Sequence, residues 1–237
     1  MIKIVNLNKR YNNKVFMKDI NTKISSGEIT LLCGRNGAGK STLMKCISGL
    51  INYSGEIQID SHNNKSIISK RKLGYIPETP EIYEDLTVWD HIEFNARIYK
   101  IDDWKSKAEK LCKDFNLLAH KDKLGTELSK GMLQKTNIIM TLIHNPDTLL
   151  IDEPFVGLDP QSIDQLKKYM LMYKNHHKTL IVSTHILDSM NLIWDRAIIL
   201  GEGQILSDIR YEELNSRQLS EYFLELTDGS KGIDKNE

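Results

Sequence analysis

The sequence has few cysteines, no excess of charge of either sign and no long apolar run. Its three cysteines, Cys33, Cys46 and Cys112, are far apart and form neither a CxxC pair nor a disulfide framework. We therefore expect free thiols that pack as small hydrophobic side chains. Lys plus Arg and Asp plus Glu both number 32 among 237 residues. This balance gives no indication of nucleic-acid binding, which requires a basic surface.

Segments that would insert into a membrane are also absent from the sequence. No stretch approaches the roughly 20 apolar residues that a membrane-spanning helix needs. The opening MIKIVNLNKR lacks the apolar core of a signal peptide. We therefore expect an intracellular chain that does not itself cross a membrane. Its content of hydrophobic residues, 40%, is that of an ordinary globular domain.

The order of the apolar patterns along the chain predicts an α/β fold. Strands are predicted at Ile2–Leu7, Ile29–Cys33, Glu56–Ile59, Leu73–Ile76, Thr148–Ile151, Thr179–Ser183, Ala197–Leu200 and Gln204–Leu206. Helices are predicted after Gly39, at Val88–Tyr99, at Trp104–Phe115, after Ser129, after Ser162 and near Ser216–Leu226. Because strands alternate with helices in the last third of the chain, we expect a parallel sheet covered by helices.

This order also predicts how the chain is organised. We expect one domain over residues 1–227 and a polar tail over 228–237. Within the domain, an α/β core is predicted from 1–84 and 146–210, a helical subdomain from 85–145, and a closing helix from 211–227.

A glycine-rich segment, Gly34–Thr42, reads GRNGAGKST and lies between a predicted strand and a predicted helix. It fits the GxxxxGK[ST] pattern, in which backbone N–H groups wrap phosphates closely because glycine has no Cβ. Lys40 supplies positive charge to the β- and γ-phosphates, and Ser41 offers a hydroxyl to Mg²⁺. A glycine-rich turn that binds nothing is the alternative. The candidate phosphate-binding residues are Asn36, Gly37, Ala38, Gly39, Lys40, Ser41 and Thr42.

A second candidate lies where the predicted strand Thr148–Ile151 runs into two carboxylates. Carboxylates at the end of a buried strand are costly unless they bind something. Asp152 is placed to hold the water shell of Mg²⁺, and Glu153 to polarise the water that attacks the γ-phosphorus. The alternative is a strand that simply leaves the core through an acidic turn.

A third candidate is the segment Leu128–Met132, LSKGM, which starts a helix. Ser129 is predicted to cap this helix. Gly131 leaves the first turn without a side chain, so that the backbone N–H groups are open to an anion. A chain with two phosphate-binding helix starts suggests that two chains pair head to tail and share their nucleotides. A plain capped helix is the alternative.

In their order from Ile2 to Ser207, these motifs resemble the ATP-binding subunits of ABC transporters. The resemblance implies that Tyr11 stacks on adenine, that His185 contacts the γ-phosphate and that Asp159 belongs to the D-loop at the nucleotide. It implies a P-loop NTPase core with a RecA-like mixed sheet, an antiparallel β subdomain and a helical insertion. It also implies ATP and Mg²⁺ as ligands, pairing with itself or a homologous ATPase, and an integral membrane permease that holds the chain at the cytoplasmic side of the membrane.

The sequence departs from the family pattern at two places. Glu78 replaces the Q-loop glutamine that ligates Mg²⁺, and LSKGM replaces LSGGQ. Both departures resemble ABC-2-type bacterial exporters. The runs YIPETP from Tyr75, SKGM from Ser129, EPFVGLDP from Glu153 and YFLELT from Tyr222 resemble the Ecs-type subgroup in particular. That resemblance implies export of a peptide or another hydrophobic antimicrobial compound. In this family the segment Val88–Tyr99 receives the membrane partner, although its aromatic residues are equally suited to core packing.

Two other functions fit parts of this pattern. One is a soluble ABC-type ATPase with a non-transport role, such as work on nucleic acid. The other is a regulatory module that binds nucleotide without hydrolysing it. The compact single cassette without a basic excess argues against the first, and the presence of Asp152, Glu153 and His185 argues against the second.

Overall fold

The computed structural model describes residues 1–229 except 13, 186, 191–192 and 216. Most of the predicted tail 228–237 and the predicted helix start at Ser216 lie outside the described residues. The strands are β1 (Ile2–Tyr11), β2 (Lys14–Ile24), β3 (Ile29–Gly34), β4 (Ser54–Ile59), β5 (His62–Asn63), β6 (Leu73–Ile76), β7 (Thr148–Asp152), β8 (Thr179–Ser183), β9 (Arg196–Gly201) and β10 (Gln204–Arg210). The helices are α1 (Lys40–Ile47), α2 (Ile67–Lys72), α3 (Val88–Ile98), α4 (Trp104–Asp114), α5 (Lys130–Leu142), α6 (Pro160–Asn175) and α7 (Leu219–Gly229).

The strands form two sheets. A four-stranded antiparallel sheet has the order β2-β1-β4-β5, and a six-stranded sheet has the order β10-β9-β3-β8-β7-β6. In the larger sheet only β10 is antiparallel to its neighbour. Every residue of β3, β7 and β8 is buried, as expected for parallel strands covered on both faces.

Side chains on the two faces of the larger sheet enter two separate cores. Leu149 and Ile151 of β7 join a core shared with α3–α6, while Leu150 joins the core shared with α1 and the antiparallel sheet. This alternation follows from the two-residue period of a strand. Trp104 and Phe115 are also buried in the first core.

The predicted elements agree with the structure except at a few places. The sequence patterns did not predict β2, β5 or α2. The helix predicted after Ser162 begins at Pro160, because the Asp159 side chain accepts a hydrogen bond from the Ser162 N–H and caps it. The last helix begins at Leu219 rather than near residue 216. α3, α4 and α5 fall within the helical segment predicted for 85–145, although this division of the domain stays a prediction.

The three cysteines are free and buried, as predicted. Burial raises the pKa of Cys33 to about 12 and that of Cys46 and Cys112 to about 11. Thiols with such pKa values stay protonated and unreactive near neutral pH.

Candidate nucleotide site

Three neighbouring strands of the larger sheet end at the same edge and bring distant motifs together. β3 runs into the glycine-rich loop, β7 ends at Asp152, and β8, which lies between them, ends at Ser183. A cavity of about 340 Å³ opens beside this edge. Its wall is formed by Phe16, Asn36, Gly37, Gly39, Lys40, Ser41, Thr42, Glu78, Glu153 and His185. Most of the predicted phosphate-binding residues therefore share one cavity with both predicted catalytic residues.

The glycine-rich loop delivers Lys40 to this cavity at the start of α1. Gly39 caps the helix with a φ of 110°, a left-handed conformation that residues with a Cβ rarely adopt. The Lys40 side chain is 7% exposed, and its Nζ donates to the Gly34 carbonyl across 2.8 Å. The same Nζ lies 3.7 Å from Oε1 of Glu153. The loop thus holds a buried positive charge beside a buried carboxylate.

Glu153 has an unusual backbone conformation that directs its side chain toward the loop. Its φ is 46°, in the left-handed region, where a residue other than glycine costs roughly 1–3 kcal/mol. Ser183 offsets this cost, because its carbonyl and its hydroxyl accept the Glu153 N–H at 3.2 and 3.1 Å. Oε2 of Glu153 lies 2.8 Å from Nδ1 of His185. Backbone strain held in place by neighbouring hydrogen bonds is typical of functional sites.

Asp152 faces a second cavity, of about 280 Å³, which adjoins the first because Ser41 and Glu78 line both. The hydroxyl of Ser183 donates to Oδ1 of Asp152, and the hydroxyl of Tyr75 donates to Oδ2 across 3.3 Å. Burial raises the pKa of Tyr75 above its usual range, and the neighbouring Asp152 raises it further. The phenol therefore stays protonated and acts as a hydrogen-bond donor.

The oxygen atoms around this second cavity suit a magnesium ion. Ser41, Glu78 and Asp152 offer one hydroxyl and two carboxylates. Within the described part of the chain, no group of three or more His, Cys, Asp or Glu side chains forms a metal site by itself. Mg²⁺ takes few protein ligands and completes its shell with water and phosphate oxygens, so this sparse set fits it.

Phe16, and not Tyr11, forms the aromatic part of the cavity wall. Phe16 lies on β2, a strand that the sequence patterns did not predict. Tyr11 is 46% exposed and packs edge-on against Phe16, with ring centroids 5.5 Å apart. Lys9 covers the Tyr11 ring at 4.5 Å. Tyr11 thus contacts the aromatic wall through Phe16, and stacking of Tyr11 on adenine stays a prediction. The only sequence signal for Phe16 is its place as a large apolar residue shortly after Tyr11.

The segment Leu128–Met132, which we call the signature segment, contacts the D-loop of the same chain, residues 157–160. Ser129 caps α5 by accepting the Met132 N–H across 3.3 Å, as predicted. A Cβ on Gly131 would meet the Gly157 carbonyl oxygen at 2.6 Å, so only glycine fits here. Neither Ser129 nor Gly131 lines the cavity at Lys40.

Asp159 also lies away from that cavity, and its carboxylate already has partners. It caps α6 and forms an ion pair of 2.5 Å with Lys135 of α5. The hydrogen bond from Lys135, with those from Ser162, lowers the pKa of Asp159 to about 2. Within its own chain, Asp159 thus joins the D-loop to the signature helix, and nucleotide contact by this residue stays a prediction.

A glycine-rich loop between a buried strand and a helix, with an acidic pair two strands away, defines a P-loop nucleoside triphosphatase. The sequence pattern of the ABC transporter family matches residues 17–156. The chain is 32% identical to the bacitracin transport ATP-binding protein BcrA of Bacillus licheniformis, over 98% of this chain and 77% of that protein. It is 31% identical to the ABC-type transporter ATP-binding protein EcsA of Bacillus subtilis, over 98% of each chain.

A solved structure of an ATP binding subunit of an ABC transporter superposes on this chain with a TM-score of 0.90. Its sequence is 31% identical, and the match covers 95% of this chain and 99% of that one. The chain belongs to the ABC transporter family and is an ATP-hydrolysing, ATP-binding subunit of a transporter. The predicted fold is confirmed, as is the similarity to Ecs-type proteins.

None of the helices that the structure describes combines the length and the apolar character needed to cross a membrane. Proteins similar to this chain, such as the bacitracin transport ATP-binding protein, are ATP-binding subunits of transporters that work with membrane permease partners.

Proposed function

We propose that this chain pairs head to tail with a second copy or a homologous ATPase and hydrolyses MgATP at two shared sites. The observation that carries the proposal is the meeting of Lys40, Glu153 and His185 in one cavity, away from Ser129 and Gly131. The start of the signature helix does not line the cavity of its own chain, so it is free to line the cavity of a partner. The shared site then has phosphate-binding groups on both sides.

In the proposed reaction, Glu153 orients a water molecule toward the γ-phosphorus and accepts its proton. The water oxygen bonds to the γ-phosphorus as the bond to the β–γ bridging oxygen breaks, giving ADP and inorganic phosphate. Lys40 neutralises charge on the phosphates, and His185 holds the Glu153 carboxylate through Nδ1. Magnesium, when held by Ser41, Glu78 and Asp152, supplies further positive charge for the phosphate oxygens.

We further propose that hydrolysis powers export of a peptide or another hydrophobic antimicrobial compound, with the chain at the cytoplasmic side of the membrane. The similarity to the bacitracin transport protein BcrA supports this substrate class. The permease is proposed to dock on an exposed apolar surface formed by Tyr83, Phe94 and Ile98, which are 64%, 49% and 58% exposed. Tyr83 packs edge-on against Phe94, and its N–H donates to Nε2 of the buried His91 across 2.9 Å. The surface is therefore preformed.

Replacing Phe94 with Asp should reduce co-purification with the membrane permease about tenfold or more, because a charge at the centre of an apolar interface is costly. Mild-detergent pull-down from the native cell measures this. Leu224→Asp is the matched control, since Leu224 is 53% exposed on the distant helix α7. Equal loss in both variants would contradict docking at Phe94. Recovery of no membrane protein with the wild-type chain would contradict a stable complex with a permease.

Replacing Phe16 with Ala should weaken ATP binding roughly tenfold, because the base loses an aromatic wall. Tyr11→Ala should have a smaller effect, since Tyr11 acts through Phe16. Calorimetric titration with ATP and with inorganic tripolyphosphate separates base contacts from phosphate contacts. Tripolyphosphate affinity should be unchanged in both variants. A larger loss of ATP affinity in Tyr11→Ala would instead support direct stacking of Tyr11 on adenine.

A further inference from the structure

Both carboxylate oxygens of Asp152 are held by hydroxyl groups from the two strands beside it. β7 lies between β6 and β8. Ser183 of β8 is level with Asp152, and its hydroxyl donates to Oδ1. Tyr75 of β6 donates to Oδ2 across 3.3 Å. Since Asp152 is only 1% exposed, these two bonds fix the plane of a carboxylate that has little room to turn.

The strand register explains how a residue on β6 reaches Asp152. Tyr75 is level with Leu150, two residues before Asp152. Residues two apart on a strand share a face of the sheet, so Leu150 and Asp152 point to the same side. The Tyr75 ring packs against the core that contains Leu150, and its hydroxyl extends to the edge where Asp152 lies. The ring is thus anchored in the core while its polar end reaches the site.

The hydroxyl groups of Ser183 and Tyr75 differ in the other hydrogen bonds that they form. The Ser183 hydroxyl also accepts the Glu153 N–H, so it maintains the backbone of the acidic pair. The Tyr75 hydroxyl bonds to Asp152 alone among the contacts described, and Tyr75 lines the same cavity as Ser41, Glu78 and Asp152. Removing this hydroxyl therefore tests the orientation of Asp152 without disturbing Glu153.

We propose that Tyr75 is a positioning residue for the magnesium site, and that its phenol presets the Asp152 carboxylate toward the cavity shared with Ser41 and Glu78. This inference rests on the proposed role of Asp152 as a magnesium-binding residue. An oriented ligand needs no reorganisation when the cation binds, and partners of this kind raise the affinity of a site.

Tyr75→Phe removes only the hydroxyl and is the test variant. Binding of a non-hydrolysable ATP analogue is measured by calorimetry in EDTA and at increasing Mg²⁺ concentration. We expect affinity in EDTA to stay within about twofold of wild type, and the Mg²⁺ midpoint to rise roughly tenfold, as for a lost hydrogen bond to a charged group. Tyr169→Phe is the matched control, because Tyr169 donates to Asp114 across 2.6 Å outside the site. It should leave the Mg²⁺ midpoint unchanged.

Thermal melting of both variants without nucleotide separates positioning from stability. A Tyr75→Phe chain with a lowered melting temperature and a wild-type Mg²⁺ midpoint would overturn the proposal, because the hydroxyl would then be only structural. Asp152→Asn tests the role on which the inference rests. If Asp152→Asn raises the midpoint and Tyr75→Phe does not, only the inference fails. If neither raises it, the proposed magnesium site itself is wrong.

Discussion

Replacing Glu153 with Gln should reduce ATP turnover by about a hundredfold or more, while MgATP still binds. The amide has nearly the same shape but accepts no proton from the attacking water. The change also removes a negative charge 3.7 Å from Lys40 Nζ, so this ammonium is no longer shared between a carboxylate and phosphate. ATP affinity should therefore be equal to or higher than that of wild type. Phosphate release and calorimetric titration measure the two quantities.

Glu28→Gln is a suitable control for this experiment. Glu28 is also buried and paired, with Arg210 at 3.3 Å and Arg196 at 3.6 Å, but it lies outside the cavity. Its replacement should lower the melting temperature and leave turnover near wild type.

The stalled Glu153→Gln chain should run as a dimer in size exclusion with ATP and as a monomer without it, because retained nucleotide holds two chains together. Turnover within tenfold of wild type would show that Glu153 is not the base.

The parts of the site that the sequence predicted are those encoded within a few consecutive residues. Lys40 and Ser41 follow the glycines directly, and Asp152 and Glu153 end one apolar strand. Their function follows from the local pattern because the strand and the loop place them together. That the two segments lie close together also follows from a general rule, because parallel strands end at the same edge of a sheet. The segments are Gly34–Lys40 and Asp152–Glu153.

The residues that the sequence did not predict reach the site through strand pairing. Tyr75 and Ser183 contact Asp152 because β6 and β8 flank β7 in a particular register. Strand order in a sheet depends on crossover connections and packing across the whole domain, which no local pattern contains. Phe16 was missed for a related reason. Most residues of β2 are exposed, so this strand lacks a regular apolar alternation and is stabilised by pairing with β1.

Asp159 shows how a motif can leave the role of a residue undetermined. The resemblance to the family implies that Gly157-Leu158-Asp159-Pro160 is the D-loop, but an Asp before a Pro is equally a helix cap. The structure shows the cap and the ion pair with Lys135. These bonds connect the D-loop to the helix α5, which begins in the signature segment.

A mixture of two inactive variants should recover ATP hydrolysis if the sites are shared between chains. Lys40→Met removes the phosphate-binding cation, and Gly131→Asp places a Cβ 2.6 Å from the Gly157 oxygen and adds a negative charge beside the partner's phosphates. Each variant alone should lose hydrolysis almost completely. In a mixed dimer, the Gly131→Asp chain keeps its Lys40 and the Lys40→Met chain keeps its Gly131, and these two meet in one intact site. With random assortment, about one quarter of the wild-type rate should return.

The recovery depends on whether a dimer with a single intact site hydrolyses ATP at all. Titrating Lys40→Met into wild-type chain measures this directly, because every mixed dimer then also has one intact site. If those dimers are active and the two-variant mixture remains inactive, the loop at Lys40 and the signature at Gly131 do not meet across chains. Melting curves for both variants confirm that each is folded before mixing. No single chain in the mixture has both Lys40 and Gly131. If hydrolysis recovers, the helix start at Gly131 of one chain must therefore complete the cavity at Lys40 of its neighbour.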